Sequence, residues 1–143
     1  MYINDLLVFG PNISKIQALK AKVTKTVNIT NLGDISFFLK IQIQRDRAKR
    51  AIYINQTKFI RELINWFDFK DLKPYKTPTK LGIKLDKNNL AAGPSKIKDF
   101  QRQIGSLIYL ITSTQPDLSY IVGLYARFIN NPRADYFRAL NRI

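Results

Sequence analysis

The chain has 143 residues, of which 45% are hydrophobic, and this is enough for one domain or two small lobes that share a core. Its 24 Lys and Arg residues against 10 Asp and Glu residues give a formal net charge of +14. Such a charge favours a polyanion partner, nucleic acid above all, over a surface that is only kept soluble. The absence of Cys and His excludes disulfides, thiol chemistry, the usual zinc sites and imidazole bases.

Residues 2–10 predict a strand, a tight turn and a second strand, because Asn4-Asp5 supplies turn chemistry between apolar flanks. The first strand is a stub, and a stub is stable only beside further strands. We therefore expect an upstream part that this sequence does not contain. The segment is too short for a membrane span and lacks the basic start of a signal peptide. We expect no membrane role and an intracellular location, cytoplasmic or nuclear.

Residues 15–27 predict an amphipathic helix. Ser14 followed by Gln17 has the pattern of a capping box, and apolar residues recur at helical spacing after it. The lysines of this helix lie mainly off the apolar stripe. They form either a solvated face or a binding surface.

A β-hairpin is predicted next, after a turn at residues 32–34. Residues 37–44 alternate apolar and polar side chains, which predicts one half-buried strand. Residues 45–50 are the predicted loop, with four positive charges and one negative charge. Residues 51–54 are predicted to form the returning strand of the hairpin. Asn55 is the predicted cap of a helix with a broad apolar face.

The remainder predicts a long loop and then helices. Residues 70–98 are rich in Pro, Asn and Lys and form either a flexible linker or an arm on a phosphate backbone. A helix is predicted from Asp99, and further helices are predicted to open at Pro116 and at Pro132. The order of elements predicts an α+β fold, with strands in the first third and helices after it.

Several short motifs follow one another along the chain. They are Tyr2-Ile3-Asn4-Asp5, Leu32-Gly33, Phe38-Leu39-Lys40-Ile41, Gln56-Thr57-Lys58-Phe59-Ile60, Lys73-Pro74-Tyr75-Lys76-Thr77-Pro78, Phe100-Gln101-Arg102-Gln103-Ile104-Gly105-Ser106-Leu107, Pro116-Asp117 and Asn131-Pro132. In this order they resemble the copia-type reverse transcriptases of LTR retrotransposons. The resemblance covers practically the whole chain.

The resemblance implies a fold, partners and a cofactor. Residues 1–55 would be the C-terminal part of a reverse transcriptase palm, with two β-hairpins and a helix. Residues 56–143 would be a helical thumb-like region with a basic loop at residues 70–98. The family is an RNA-directed DNA polymerase made as part of a Pol polyprotein. Its implied partners are an RNA–DNA hybrid and the remainder of that polyprotein, and the intact enzyme uses Mg²⁺.

The resemblance also places Tyr2, Asn4 and Asp5 at catalytic positions, with Asp5 as a metal ligand. Phosphoryl transfer by two metal ions needs carboxylates that hold divalent cations about 3.5–4 Å apart. Asn4 stands where the family has its first paired Asp, and the family's other catalytic Asp comes from an upstream strand. We therefore expect no metal in this fragment and no polymerase activity from it alone.

The resemblance further implies sequence-independent contacts with backbone phosphates. The candidate basic residues lie on the second hairpin and the following helix: Lys40, Arg45, Arg47, Lys49, Arg50, Lys58 and Arg61. For several of them, solvation alone is the alternative. Lys40 stands where the family has a Gly, and a Gly in a strand often marks a close approach of two backbones. Trp66 and Tyr109 are expected in the core rather than as platforms for base stacking.

Three functions remain open from the sequence. The chain is a truncated and inactive reverse transcriptase segment, a free-standing nucleic-acid-binding module, or a structural remnant without a biochemical role. Primer extension tests the first, and binding to an RNA–DNA hybrid that weakens with salt tests the second. Aggregation through unpaired strand edges would favour the third.

Overall fold

A computed structural model describes residues 5–69, 75–79, 85–87 and 90–143, which form an α+β fold as predicted. These residues contain one antiparallel sheet in the order β1-β2-β3, followed by a helical part. The elements are α1 Ile13–Thr26, β1 Phe37–Phe38, β2 Ile41–Asp46, β3 Ala51–Asn55, α2 Thr57–Trp66, α3 Pro94–Ser113, α4 Ser119–Ala126 and α5 Ala134–Leu140. A 3₁₀ turn at Pro116–Leu118 precedes α4.

The segment before α1 differs from the predicted first hairpin. Tyr2 and Asn4 lie outside the described residues, and residues 6–9 form no strand. A strand needs a neighbour for its backbone N–H and C=O groups. Within the described residues, the sheet consists of β1, β2 and β3, and residues 6–9 pair with none of these strands.

Helix α1 begins two residues earlier than predicted. Its N-cap is Asn12 rather than Ser14, because the Asn12 side-chain oxygen accepts a hydrogen bond from the backbone N–H of Lys15 at 3.2 Å. Asn satisfies a free helix N–H as well as Ser does. No residue of α1 is buried, so the described chain leaves the predicted apolar stripe of this helix uncovered.

The predicted strand over residues 37–44 is wrong, because the chain reverses direction at Leu39-Lys40. Phe38 pairs with Ile41, which leaves a loop of only two residues between β1 and β2. Both loop residues have positive φ, 45° for Leu39 and 65° for Lys40. A two-residue hairpin loop of the type I′ kind requires this conformation. The alternation of apolar and polar side chains continues across this turn, so the sequence pattern did not reveal the reversal of the chain.

The turn also revises the role of the Gly that the family has at position 40. A residue other than Gly is strained at positive φ, because its Cβ crowds the neighbouring carbonyl group. A Gly at this position would relieve the turn, and no close approach of two backbones is needed to explain it. In this chain, contacts with residues outside the turn stabilise it instead. The Lys40 ammonium lies 2.8 Å from the Glu62 carboxylate, and the Tyr109 hydroxyl donates to the Leu39 carbonyl oxygen.

Side chains also hold the step from β3 into α2. The N-cap is Gln56 rather than the predicted Asn55. Gln56 is 1% exposed, and its Oε1 accepts a hydrogen bond from the Thr114 hydroxyl at 2.7 Å. Asn55 accepts from the first N–H of α2 at 3.2 Å, and Gln42 accepts from the second at 3.1 Å. Two N–H groups that a helix start leaves free are thus bound by side chains of the sheet.

Two apolar clusters meet along α3. In the first, Phe59 and Leu63 of α2 pack against Leu110. In the second, Phe100 and Ile104 are fully buried against side chains of the last two helices, namely Ile121, Val122, Tyr125, Tyr136 and Leu140. Leu107 lies at the edge of both clusters. The core of the described residues therefore lies between the helices, with α3 at its centre.

The boundaries of these helices differ from the predicted ones. Helix α3 begins at Pro94 rather than Asp99, because Pro at the first helical position gives up no intrahelical hydrogen bond. Pro116 opens the next helical segment, as predicted, but α4 ends at Ala126, before the predicted end at Asn130-Asn131.

The described parts of the 70–98 region are anchored on the helical part. The Arg142 guanidinium donates to the Thr77 hydroxyl at 2.9 Å and lies 4.2 Å from the ring centroid of Tyr75. The Tyr136 hydroxyl donates to the carbonyl oxygen of Asp86. The backbone N–H of Ala92 donates to the Asn131 side chain at 2.8 Å. These contacts give Tyr136 and Asn131 structural roles that the sequence did not reveal.

We predict that Lys40→Gly is more stable than Lys40→Ala by about 1 kcal/mol. Both variants lose the ion pair with Glu62, but only Gly adopts the positive φ of this turn without strain. The measurement is the free energy of unfolding in urea for both variants and the parent chain. Equal stability of the two variants, or a less stable Gly variant, would contradict the left-handed conformation at position 40.

We predict that part of the loss of stability at alkaline pH comes from Tyr125. Burial raises the pKa of its hydroxyl above the usual 10.0, and the neighbouring Tyr136 and Asp135 raise it further. Since the unfolded chain ionises first, this contribution is complete below about pH 10 and is lost as the pH rises through the folded pKa. Unfolding measured between about pH 8 and 11 should show a shallower loss for Tyr125→Phe than for the parent chain.

The matched control is Tyr120→Phe, because that side chain is 75% exposed. Charges elsewhere in the chain titrate over the same range, but they are common to both variants and cancel in the comparison. If Tyr125→Phe lost stability as steeply as the parent chain, burial of the Tyr125 hydroxyl would not be the cause.

Candidate nucleic-acid interface

The tip of the β2–β3 hairpin is a four-residue loop, residues 47–50, set between the paired residues Asp46 and Ala51. The Asp46 carboxylate organises it by accepting the backbone N–H of Lys49 at 2.9 Å. The backbone N–H of Arg50 donates to the Arg47 carbonyl oxygen at 3.3 Å, and Arg50 has a φ of 52°. A short Asp side chain that binds the backbone ahead of it is a common turn device. The loop is therefore built by its own sequence.

Three arginines of this hairpin surround one hollow. It has a volume of about 270 Å³ and is lined by Arg45, Asp46, Arg47, Arg50, Ala51 and Ile52. Among the described residues, no carboxylate lies within 4.0 Å of the guanidinium of Arg45 or Arg50. We name this group of arginines, with its hollow, the arginine tip.

Arg47 and Lys49 do have acidic neighbours, at long distances. Arg47 lies 3.7 Å from Asp34, with side chains 68% and 97% exposed, and Lys49 lies 3.8 Å from Asp46. Exposed ion pairs of this kind contribute about 0–1 kcal/mol and weaken with salt. Both cations therefore remain exchangeable toward another anion.

The other three candidates lie at the opposite end of the ribbon. Lys40 is bound to Glu62, which makes it the most engaged of the seven candidates. The Lys58 ammonium lies 5.5 Å from the ring centroid of Phe37, and Arg61 is exposed. Neither Lys58 nor Arg61 has a carboxylate within 4.0 Å in the described part of the chain.

The structure thus gathers the seven candidates into two groups. Arg45, Arg47, Lys49 and Arg50 form the tip group, and Lys40, Lys58 and Arg61 form the base group. Residues 41 and 46 mark the two ends of β2 between the groups, and at about 3.3 Å per residue they are about 17 Å apart. The sequence predicted the tip group as one loop, but the base group joins residues that are far apart along the chain.

Tyr109 and Trp66, the two aromatic residues that were expected in the core, differ in how much of the side chain is exposed. Tyr109 is half-buried and packs edge-to-face on Phe59 at 5.4 Å, as expected of a structural residue. Trp66 is 56% exposed and meets Phe59 at only one edge, at 6.3 Å, so its predicted burial is wrong. Trp66 lies on the same face of α2 as Phe59 and Leu63, but it is the last residue of the helix, where the described chain leaves most of its side chain uncovered.

Of the three predicted catalytic positions, the structure describes only Asp5. Asp5 is exposed and belongs to no strand, and Tyr2 and Asn4 lie outside the described residues. Within residues 5–69, 75–79, 85–87 and 90–143, no three acidic side chains come together as a metal site. A single exposed carboxylate does not fit a centre of two Mg²⁺ ions, which needs several oxygen ligands held in fixed geometry.

Sequence reasoning missed three polar residues that build this surface. Asp46 organises the tip, Glu62 binds Lys40, and Gln42 holds the start of α2. Only Asp46 had a usable signal, because an Asp at the entry to a loop is typical of a turn. The Lys40–Glu62 pair joins positions that are 22 residues apart, and no local pattern predicts it.

Comparison with known proteins identifies the class. Residues 1–81, more than half of the chain, match the family described as "Reverse transcriptase (RNA-dependent DNA polymerase)". Together with its transposon relatives, this match shows that the chain belongs to the copia-type reverse transcriptases. No solved structure matches the chain.

The relatives are longer proteins. The chain is 29% identical over its whole length to the retrovirus-related Pol polyprotein from transposon TNT 1-94 of Nicotiana tabacum, of which it spans 11%. It is 30% identical to an uncharacterized mitochondrial protein of Arabidopsis thaliana, of which it spans 58%. It is 24% identical to the Pol polyprotein from transposon RE2 of the same plant, of which it spans 10%. Within the described residues, no helix combines the length and apolar character of a membrane span.

Proposed function

We propose that residues 1–55 are the end of the palm and residues 56–143 the thumb of a copia-type reverse transcriptase, and that this piece holds an RNA–DNA hybrid by its phosphates. The observation that supports the proposal most is that four of the seven candidate cations have no acidic partner among the described residues. These are Arg45, Arg50, Lys58 and Arg61. All four lie on the β2–β3 ribbon and the helix that follows it, where they remain available to an anion.

The spacing of the tip group and the base group suits one nucleic-acid strand. A strand of a duplex presents one phosphate per about 3.4 Å of helix axis, so groups about 17 Å apart meet phosphates about five nucleotides apart. Arg and Lys contacts of this kind fix the position of a duplex without reading its sequence. A thumb that follows a moving template-primer duplex needs contacts that do not depend on sequence.

Catalysis by this chain alone is not part of the proposal. Asn4 stands at the position of a family carboxylate, and Asp5 belongs to no group of three acidic side chains among the described residues. Mg²⁺ and the polymerase reaction would belong to the intact enzyme. The chain spans about a tenth of the Pol polyproteins that it resembles, so the remainder of such a polyprotein is the proposed partner.

We predict that the chain binds an RNA–DNA hybrid with an affinity that falls linearly on a log–log plot against salt concentration. Arg45→Gln/Arg50→Gln removes two of the proposed phosphate contacts, so the slope of that plot should become shallower by about two. Fluorescence anisotropy with a labelled hybrid at several salt concentrations measures the slope.

The charge-matched control is Arg127→Gln/Arg138→Gln, which removes the same groups from exposed positions on the last two helical segments. Both double variants reduce the formal net charge from +14 by two, to +12. The control should retain the slope of the parent chain. An equal change in both variants would show that total charge, rather than the hairpin, determines binding, and an absent or salt-insensitive affinity would contradict the proposal.

We predict no primer extension by this chain with either Mg²⁺ or Mn²⁺. Asn4→Asp should be equally inactive, because it restores one carboxylate of the turn but not the family's upstream one. The measurement is extension of a labelled primer on an RNA template, with an intact reverse transcriptase as the positive control. Robust extension by the parent chain would overturn the proposal of inactivity.

A further inference from the structure

We propose that the arginine tip is a binding site for a doubly charged phosphate group, either a terminal phosphomonoester or pyrophosphate. The inference rests on the proposed function, because it names the anion that one part of the same surface binds best. It goes beyond that function in one respect. Contacts along a duplex backbone meet singly charged phosphodiesters, whereas this site favours a phosphate that ends a chain or is free.

Three arginines from different parts of the hairpin come together at the arginine tip. Arg45 belongs to β2, Arg47 is the first residue of the loop, and Arg50 is its last residue, yet all three line the same hollow. The left-handed conformation of Arg50 returns the chain to β3 beside Arg45, whose partner in the sheet is Ile52. Guanidinium groups bind phosphate oxygens through paired N–H donors in a fixed geometry. Three arginines that line one hollow can therefore offer such donors to one anion.

The second argument is the lack of neutralisation. Asp46 is the one acidic residue that lines the hollow, and its carboxylate is already engaged by the backbone N–H and the ammonium group of Lys49. Arg47 has the exposed contact with Asp34 at 3.7 Å, which an incoming phosphate can displace. The local charge therefore exceeds what one phosphodiester compensates.

The third argument is size and access. The hollow of about 270 Å³ equals about nine water molecules at about 30 Å³ each. This is room for pyrophosphate or for one phosphate with some of its hydration. A terminal phosphate carries a charge of about −1.5 to −2 at pH 7, against −1 for a diester. Three cations in an open site therefore discriminate in favour of the terminal group.

The experiment is a titration of the 143-residue chain with sodium pyrophosphate and with sodium phosphate, in a metal-free buffer of low salt. Binding is followed by calorimetry and by the NMR signals of the arginine side-chain N–H groups. We expect tighter binding of pyrophosphate than of phosphate, with shifts at Arg45, Arg47 and Arg50. Arg45→Gln/Arg50→Gln should weaken pyrophosphate binding by roughly 10-fold or more, as expected for lost hydrogen bonds to a charged group.

The control Arg127→Gln/Arg138→Gln should remain within about 2-fold of the parent chain, since screened charges outside the site contribute little. Circular dichroism checks that each variant is folded. Equal weakening in both double variants, or absent pyrophosphate binding by the folded parent chain, would overturn the inference.

A second arm distinguishes the two sources of the phosphate. Single-stranded oligonucleotides of one sequence, with a 5′-phosphate or a 5′-hydroxyl, are compared on the parent chain and on Arg45→Gln/Arg50→Gln. A preference for the 5′-phosphate that the variant loses assigns the site to a nucleic-acid end. Pyrophosphate binding without that preference assigns it to the free anion.

Different experimental results would contradict the phosphate site and the proposed function. Salt-dependent binding of the hybrid without pyrophosphate binding would remove only the discrete site. Pyrophosphate binding that depends on Arg45 and Arg50, without hybrid binding, would preserve the site and contradict the proposed function.

Discussion

The position of the basic ribbon depends on polar contacts between one end of the sheet and the helices. The β1–β2 turn is tied by Lys40 to Glu62 and by its Leu39 carbonyl to Tyr109, and the end of β3 is tied by Gln56 to Thr114. β3 buries none of its side chains, so apolar burial does little to hold it. Each such hydrogen bond contributes about 0.5–1.5 kcal/mol, and losing the partner of buried Gln56 costs about 1–3 kcal/mol.

This attachment also determines where the charge is available. The contacts that hold the sheet lie at the β1–β2 turn and at the start of α2. They include the ion pair of Lys40 with Glu62, so Lys40 is not free to bind another anion. The other end of the ribbon projects from the helices with Arg45 and Arg50 unopposed by carboxylates in the described residues. What distinguishes this end of the ribbon is that three arginines, Arg45, Arg47 and Arg50, line one hollow there.

Local patterns in the sequence predicted what local interactions decide. The sequence predicted the helices of the second half and a hairpin loop at residues 45–50, which the structure shortens to 47–50. The reversal at Leu39-Lys40 was missed, because neither residue is a usual turn former and contacts with distant side chains hold the positive φ angles. Burial of Trp66 was predicted wrongly, because an apolar run does not show how far along a helix the neighbouring elements cover it. The base group required pairings across 16 and 22 residues that no short motif encodes.

The proposed interface places nucleic acid on the ribbon from Arg45 to Arg61. Hydrogen–deuterium exchange of the chain, with and without a saturating RNA–DNA hybrid, can locate the bound hybrid. We expect new protection on residues 45–61, including the loop at 47–50, with little change on α5, Ala134–Leu140. Protection confined to α4 and α5, with the hairpin loop unchanged, would contradict it.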